Sequence, residues 1–179
     1  FPPHPRLFVD LFCGGCNVGL NVPSDRVIYN DLNLELLGLY ETLKELEAQT
    51  ILRRVYEIIG EYGLSLVSRY GYSYYGCDSS RGLGNYNREG YLRLREDYNR
   101  RRREGLDDSC SRIMLYVLIV YSFNNQIRFN ARGEFNLPVG KRDFNRRMEE
   151  KLMAFLARIR QQDCAFTCQD FRTCDTSAL

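Results

Sequence analysis

Apolar residues in this chain fall into short runs and one-sided stripes, and the two patterns alternate along its length. Leu7 to Phe12 is a mostly apolar run that ends at Gly14-Gly15. It predicts a buried parallel strand turning sharply, with backbone open to close approach. A second run, Arg26-Val27-Ile28-Tyr29-Asn30, ends in Asp31, and Leu36, Leu39, Tyr40, Leu43 and Leu46 mark one face of a helix over residues 34–46. These make a succession of strand, glycine turn, helix, strand, acid and helix. Residues 51–59 continue as helix, and residues 60–87, rich in Gly, Tyr and Ser, read as loop. Helices are expected again over residues 91–103, 111–121 and 148–160, the last with Met148, Leu152, Phe155, Leu156 and Ile159 inward, and a short strand over residues 165–168.

Between the last two helices, Ile127, Phe129, Phe135 and Leu137 alternate with Arg128, Asn130, Glu134 and Asn136 about a turn at Gly133. That period of two predicts a hairpin with one apolar and one polar face. A two-stranded ribbon fits the DNA major groove, where arginine reads guanine and asparagine reads adenine by paired hydrogen bonds. An amphipathic surface hairpin is the plainer reading of the same alternation.

The glycine turn and Asp31 acquire meaning as a pair. An acid at the tip of the second strand, some twenty residues past a glycine turn, is where ribose hydroxyls are gripped in doubly wound sheets. Together they point to an adenosine-type cofactor, although Asp31 alone could cap the helix that follows it. A nicotinamide-binding fold would carry Gly-x-Gly-x-x-Gly, and the series Gly14, Gly15, Gly19 fits that fingerprint poorly.

Composition narrows the class. With 179 residues, 44% hydrophobic and 27% charged, the chain has the make-up of a soluble globular domain, and no run approaches the ~18 apolar residues of a membrane span. Seven cysteines, with Cys13 and Cys16 separated only by the turn glycines, read as buried thiols of a reducing cytosol, without a metal site. His4 is the only histidine, which disfavours histidine-based acid–base chemistry. The formal charge of +2 is unevenly spread, since residues 81–147 alone carry 15 basic and eight acidic side chains. Nearly all the cations are arginines, whose forked donors suit phosphate and guanine edges, and Arg100 to Arg103 form an unbroken run that reads either as a solvated helix end or as a phosphate contact. The eight tyrosines from Tyr56 to Tyr91 are expected to pack a small helical region, with a few left to meet nucleic acid.

Residues 8–15, Asn30-Asp31, residues 92–99, residues 122–130, and Gly133, Phe135, Pro138 and Gly140-Lys141-Arg142 together resemble the DNA adenine methyltransferases of the Dam type, especially phage members. The likeness spans nearly the whole chain in the right order. It implies an α/β fold: a partial Rossmann-like S-adenosylmethionine-dependent methyltransferase core with an inserted, mostly helical target-recognition subdomain carrying the hairpin. Residues 1–50 and 159–179 would belong to the core and residues 51–158 to the insertion. The implied activity is transfer of a methyl group from S-adenosylmethionine to the exocyclic amine of adenine in duplex DNA, commonly within GATC, with the base extruded into a pocket. Carried onto this sequence, Asp10, Phe12, Gly14, Gly15, Asp31, Asp170 and Phe171 would hold the cofactor. Phe123, Asn124, Gln126, Arg128, Asn130 and Pro138 would meet DNA. Gln126 stands where the family has an apolar residue.

The resemblance also implies an Asp-Pro-Pro-Tyr loop that grips the target amine, and no such sequence occurs; Pro2, Pro3, Pro5, Pro23 and Pro138 all lie elsewhere. A fragment without catalytic residues, inactive alone, is the expectation. Double-stranded DNA is the expected partner, with no membrane and no obligate protein partner, in the cytoplasm. The alternatives are a catalytically dead DNA-binding protein derived from such an enzyme and a nicotinamide-dependent Rossmann protein.

Overall fold

The structure is a computed structural model that describes residues 3–174. Contacts divide the chain into two compact units, Phe1–Leu46 with Met153–Leu179, and Glu47–Leu152.

The first unit is built on three parallel strands, β1 (Leu7–Asp10), β2 (Arg26–Asn30) and β3 (Cys164–Thr167), in that order across the sheet. Val9 pairs with Ile28, and Ile28 with Ala165. The central strand buries Val27, Tyr29 and Asn30, whereas β1, expected to be buried, is half-buried throughout. As the outer strand it has a partner on one side only among the described residues. Helix α1 (Leu34–Glu45) starts where the Asn33 side chain accepts from the Leu36 amide at 3.2 Å, so Asn33 and not Asp31 supplies the cap. It turns Leu36, Leu37, Leu39, Tyr40 and Leu43 inward. The Arg160 guanidinium satisfies its last carbonyls at Leu43, Lys44 and Leu46. The helix expected between the glycine turn and β2 is a single 3-10 turn, Gly19–Asn21. The Asp10 carboxylate takes the Gly19 amide at 3.0 Å and binds this segment to the end of β1.

The second unit is helical. Helix α2 (Ala48–Glu61) is separate from α1 because Leu46 and Glu47 are extended. The region read as loop over residues 60–87 holds α3 (Val67–Tyr74), bent at Gly71 where φ is +75°, and the first turn of α4 (Gly84–Arg103). Long-range groups stabilise what local composition does not: the Asp143 carboxylate accepts from the Val67 amide at 2.6 Å, and in the same corner the Tyr75 hydroxyl oxygen accepts from the Leu66 amide at 2.8 Å. Helix α5 (Ser109–Tyr121), capped by Asp108 on the Ser111 amide, packs between α2 and α4 and buries most of its surface. Helix α6 (Arg146–Gln161) spans a unit boundary, with Leu152, Leu156 and Ile159 buried.

Candidate functional site

In the first unit the glycine turn and the acid meet. Asp31 Oδ2 accepts from the Gly14 amide at 3.0 Å and Oδ1 from the Asn33 amide at 2.9 Å. On the other side of the same residue the buried Tyr40 hydroxyl donates to the Gly14 carbonyl at 2.6 Å, and Gly14 sits at φ +42°, where a side chain is strained. The turn is therefore fixed at both its amide and its carbonyl. Beneath it Cys13 and Cys16 are buried, and the neighbouring Cys13 thiol together with burial pushes the Cys16 thiol far up, which keeps Cys16 in its unreactive protonated form.

Two aromatic rings stand open beside the turn. Phe12 is 70% and Phe171 50% exposed, with ring centroids 5.3 Å apart. Such rings in solvent are unusual unless they receive a flat ligand or a partner. Asp170 accepts from the Arg172 amide and pairs with its guanidinium, which holds the carboxyl below the ordinary range. Asn30 ties the strand ends together. Its side-chain amide donates to the Leu11 and Gln169 carbonyls, and its oxygen accepts from the Thr167 hydroxyl and the Gln169 amide. Asp10 faces the Gly19 amide, and Gly15 is exposed at the turn.

In the second unit the residues 127–137 form a hairpin narrower than the ribbon the alternation predicts. Phe129 and Phe135 pair in antiparallel register, flanked by hydrogen bonds from the Asn130 amide to the Glu134 carbonyl and from the Asn136 amide to the Arg128 carbonyl. The reason lies in α4, whose side chains replace ladder partners. The Asn99 amide group bonds both the nitrogen and the oxygen of Phe135 (2.8 and 3.1 Å), Arg95 and Tyr91 donate to the Leu137 carbonyl, and Arg102 to that of Gly133. Phe135 and Leu137 are buried and Arg128 is exposed, its guanidinium steadied by Asn136. Asn130 is engaged within the turn, accepting from the Arg132 and Glu134 amides and donating to the Glu134 carboxylate. Phe123, Asn124, Gln126 and Pro138 are exposed, and the Phe123 amide donates to the Pro138 carbonyl at 2.9 Å, which brings these two segments together.

The arginine run is spent largely on the fold. Arg100 pairs with Asp97, Arg101 with Asp108, Arg103 with Glu96 and Glu134, and Arg102 lies over the rings of Phe129 and Tyr98. The cations placed in a concave surface are others. A hollow of about 450 Å³ is walled by Arg81, Arg88, Arg95 and Lys141 together with Phe123 and Pro138. A second, about 470 Å³, shares Phe123 and Lys141 and adds Asn124 and Arg142. Exposed Phe123 thus divides two cationic hollows, a shape and charge suited to a polyanion. Sequence reasoning missed these cations because they come from separate segments. The signal was the spacing of Arg88 and Arg95, seven residues apart and so two turns along one face of α4.

The first unit is thus a parallel α/β sheet with a glycine turn closed by the acid of the next strand. Residues 1–178 match the D12 class N6 adenine-specific DNA methyltransferases, and the chain belongs to that family. It is 32% identical to the type II methyltransferase M.FokI of Planomicrobium okeanokoites and 31% identical to the modification methylase StsI of Streptococcus sanguinis, in each case over the whole of this chain and 24% of the relative. The DNA N-6-adenine-methyltransferase of Escherichia phage P1 is 25% identical over 94% of this chain and 19% of its own length. The chain spans about a quarter of the length, or less, of these curated relatives.

Proposed function

We propose that this protein is a site-specific DNA adenine methyltransferase, with the first unit holding S-adenosylmethionine and the second reading duplex DNA at a GATC-like site. On this reading the architecture is a Rossmann-like core with a mostly helical target-recognition subdomain inserted in it, residues 51–158 by the sequence pattern and close to the compact unit Glu47–Leu152. The observation that carries the reading is the Asp31 carboxylate closed on the Gly14 amide beside two exposed aromatic rings. Each Asp31 oxygen accepts one backbone amide and retains a lone pair for a ribose hydroxyl. Phe12 and Phe171 offer apolar faces to the uncharged parts of the cofactor, with Asp10, Gly15 and Asp170 setting the surrounding turns. These residues fit the group, which when bound supplies an electrophilic methyl on sulfonium.

The part of the second unit is recognition. Arg128, presented on the hairpin and steadied by Asn136, reads a guanine edge by a forked pair of hydrogen bonds. Phe123 and Asn124 approach the stack where the target base leaves it, Gln126, Asn130 and Pro138 lie at the same surface, and the cations of the two hollows neutralise phosphates.

Calorimetric titration with S-adenosylhomocysteine and, separately, NAD tests the cofactor half. Heat with the first and none with the second is expected, lost in Asp31→Ala; preference for NAD rejects the reading. Selection of duplexes from a random pool tests the other half, and an adenine-containing consensus is expected.

A further inference from the structure

Asn124 and Asn125 are consecutive left-handed residues, with φ of +56° and +52°, at the end of α5 and next to exposed Phe123. Two adjacent non-glycine residues in that region are held there only by their surroundings. The holding group is the Asn125 side chain. It folds back and donates its amide to the final carbonyls of α5, to Val120 at 2.7 Å and Ile119 at 3.3 Å, while its backbone amide donates to the Ser122 carbonyl at 3.2 Å. The opposite side of the tip is also clamped. Ser122 pairs with Val139, the Phe123 amide donates to Pro138, and the Gly140 amide donates to Tyr121 at 2.7 Å. Gly140 lies so close to the Ser122 carbonyl that any side chain there would collide with it.

We propose that Asn125 is a positioning residue that pre-shapes the Phe123-Asn124 tip for entry into the base stack, so that base extrusion, and not sequence readout, depends on it. The inference rests on the recognition role assigned above to the second unit. Asparagine suits the position for two reasons: its short polar side chain tolerates the left-handed region, and its amide reaches the Val120 carbonyl left over at the end of α5 and shares that of Ile119, which Ser122 also bonds. Glycine would supply the first property without the second. Alanine would supply neither. Asn125 itself need touch neither the base nor a phosphate, because its side-chain amide is already committed to α5.

The two properties make the test. The wild-type chain first selects its preferred duplex from a random pool, and 2-aminopurine, which brightens when unstacked, then replaces the adenine of that sequence. Addition of the wild-type chain is expected to raise the fluorescence. Asn125→Gly keeps the backbone conformation and loses the side-chain bonds; it is expected to lower the extruded fraction about 2- to 10-fold, the worth of one or two neutral hydrogen bonds. Its discrimination among guanine-position variants is expected to stay as in the wild type, and its unfolding midpoint to fall only as far as the lost bonds and the added glycine account for, with the chain still folded under the assay conditions. Asn125→Ala is expected to lower extrusion further. Asn125→Gly with wild-type fluorescence overturns the proposal, and so does a variant in which extrusion and guanine discrimination fall in equal proportion, since that is a folding defect. A wild-type chain that selects a sequence without brightening the probe overturns the recognition role of the tip itself. One that selects no sequence overturns the reading of the second unit.

Discussion

Arg128 and Asn136 face each other across the hairpin, Arg128 donating from Nε to the Asn136 side-chain oxygen at 2.8 Å and from Nη2 to its backbone oxygen at 3.1 Å. An arginine fixed along one edge of its guanidinium keeps the remaining donors in a defined direction, and this lowers the entropy lost when they engage a guanine. Arg128→Ala is expected to remove about 1–3 kcal/mol of discrimination at one guanine. Asn136→Ala, which frees the guanidinium while leaving its donors, is expected to cost a smaller part of the same discrimination. Competition binding with single-base variants of the selected duplex measures both. Preference unchanged in Arg128→Ala removes the hairpin from recognition.

Asp31→Asn replaces a doubly accepting carboxylate with a side chain that can present only one oxygen to the Gly14 and Asn33 amides. Hydrogen bonds to charged groups contribute about 1.5–3 kcal/mol, so affinity for S-adenosylhomocysteine is expected to fall roughly 10- to 100-fold. DNA affinity measured without cofactor is expected to change little. Equal losses of both in calorimetry and gel shift would assign Asp31 to the fold alone.

The two kinds of arginine are separable by salt. Arg88→Gln, in the hollow beside Phe123, is expected to reduce the slope of log affinity on log salt concentration by about 0.9, the share of one phosphate contact, with sequence preference intact. Arg101→Gln breaks bonds to Ser111 and Asp108 at the start of α5 and is expected to lower the unfolding midpoint without changing that slope. Slopes reversed between the two variants would contradict the division of labour.

Gly19 lies against the Tyr29 ring, which is held in place by the hydrogen bond from its hydroxyl to Gln162 at 2.6 Å. A β-carbon at residue 19 has no room unless the ring moves, and Gly19→Ala is expected to destabilise the chain by about 1–3 kcal/mol. Urea unfolding measures it. A variant as stable as the wild type would show that the ring gives way freely.

Asp143 is buried, and burial raises its carboxyl above the ordinary range despite the amide of Val67 that it accepts. The fold favours its protonated form, so its contribution to stability is complete below the unfolded value near 3.8 and is lost as pH rises through the raised folded value. Asp143→Asn keeps an acceptor for Val67 and cannot ionise. The stability difference, variant minus wild type, is expected to grow as pH rises from about 4 to 7 in urea titrations. A difference independent of pH would place the ionisation elsewhere.

The helices α1, α5 and α6 and the pairing of the glycine turn with Asp31 were legible because each is encoded locally, by period and by the distance between two strand ends. Helix α3 was not. Its Gly- and Tyr-rich sequence has weak propensity, and its start is satisfied by Asp143, 76 residues away. The hairpin was legible in its alternation, yet its narrowness depends on Asn99 and Arg95 of α4, which periodicity within residues 127–137 cannot reveal. The arginine run misled for a related reason. Adjacent identical charges suggest a shared task, but a helix turns them 100° apart, and three of them meet carboxylates in different segments.

Asn30 fastens the segment after β1 and the segment after β3 with one side chain. The two loops cannot drift separately: a substitution that shifts one tugs the other through a single amide. Residue 30 is therefore the hinge pin on which the relative placement of the two strand ends turns.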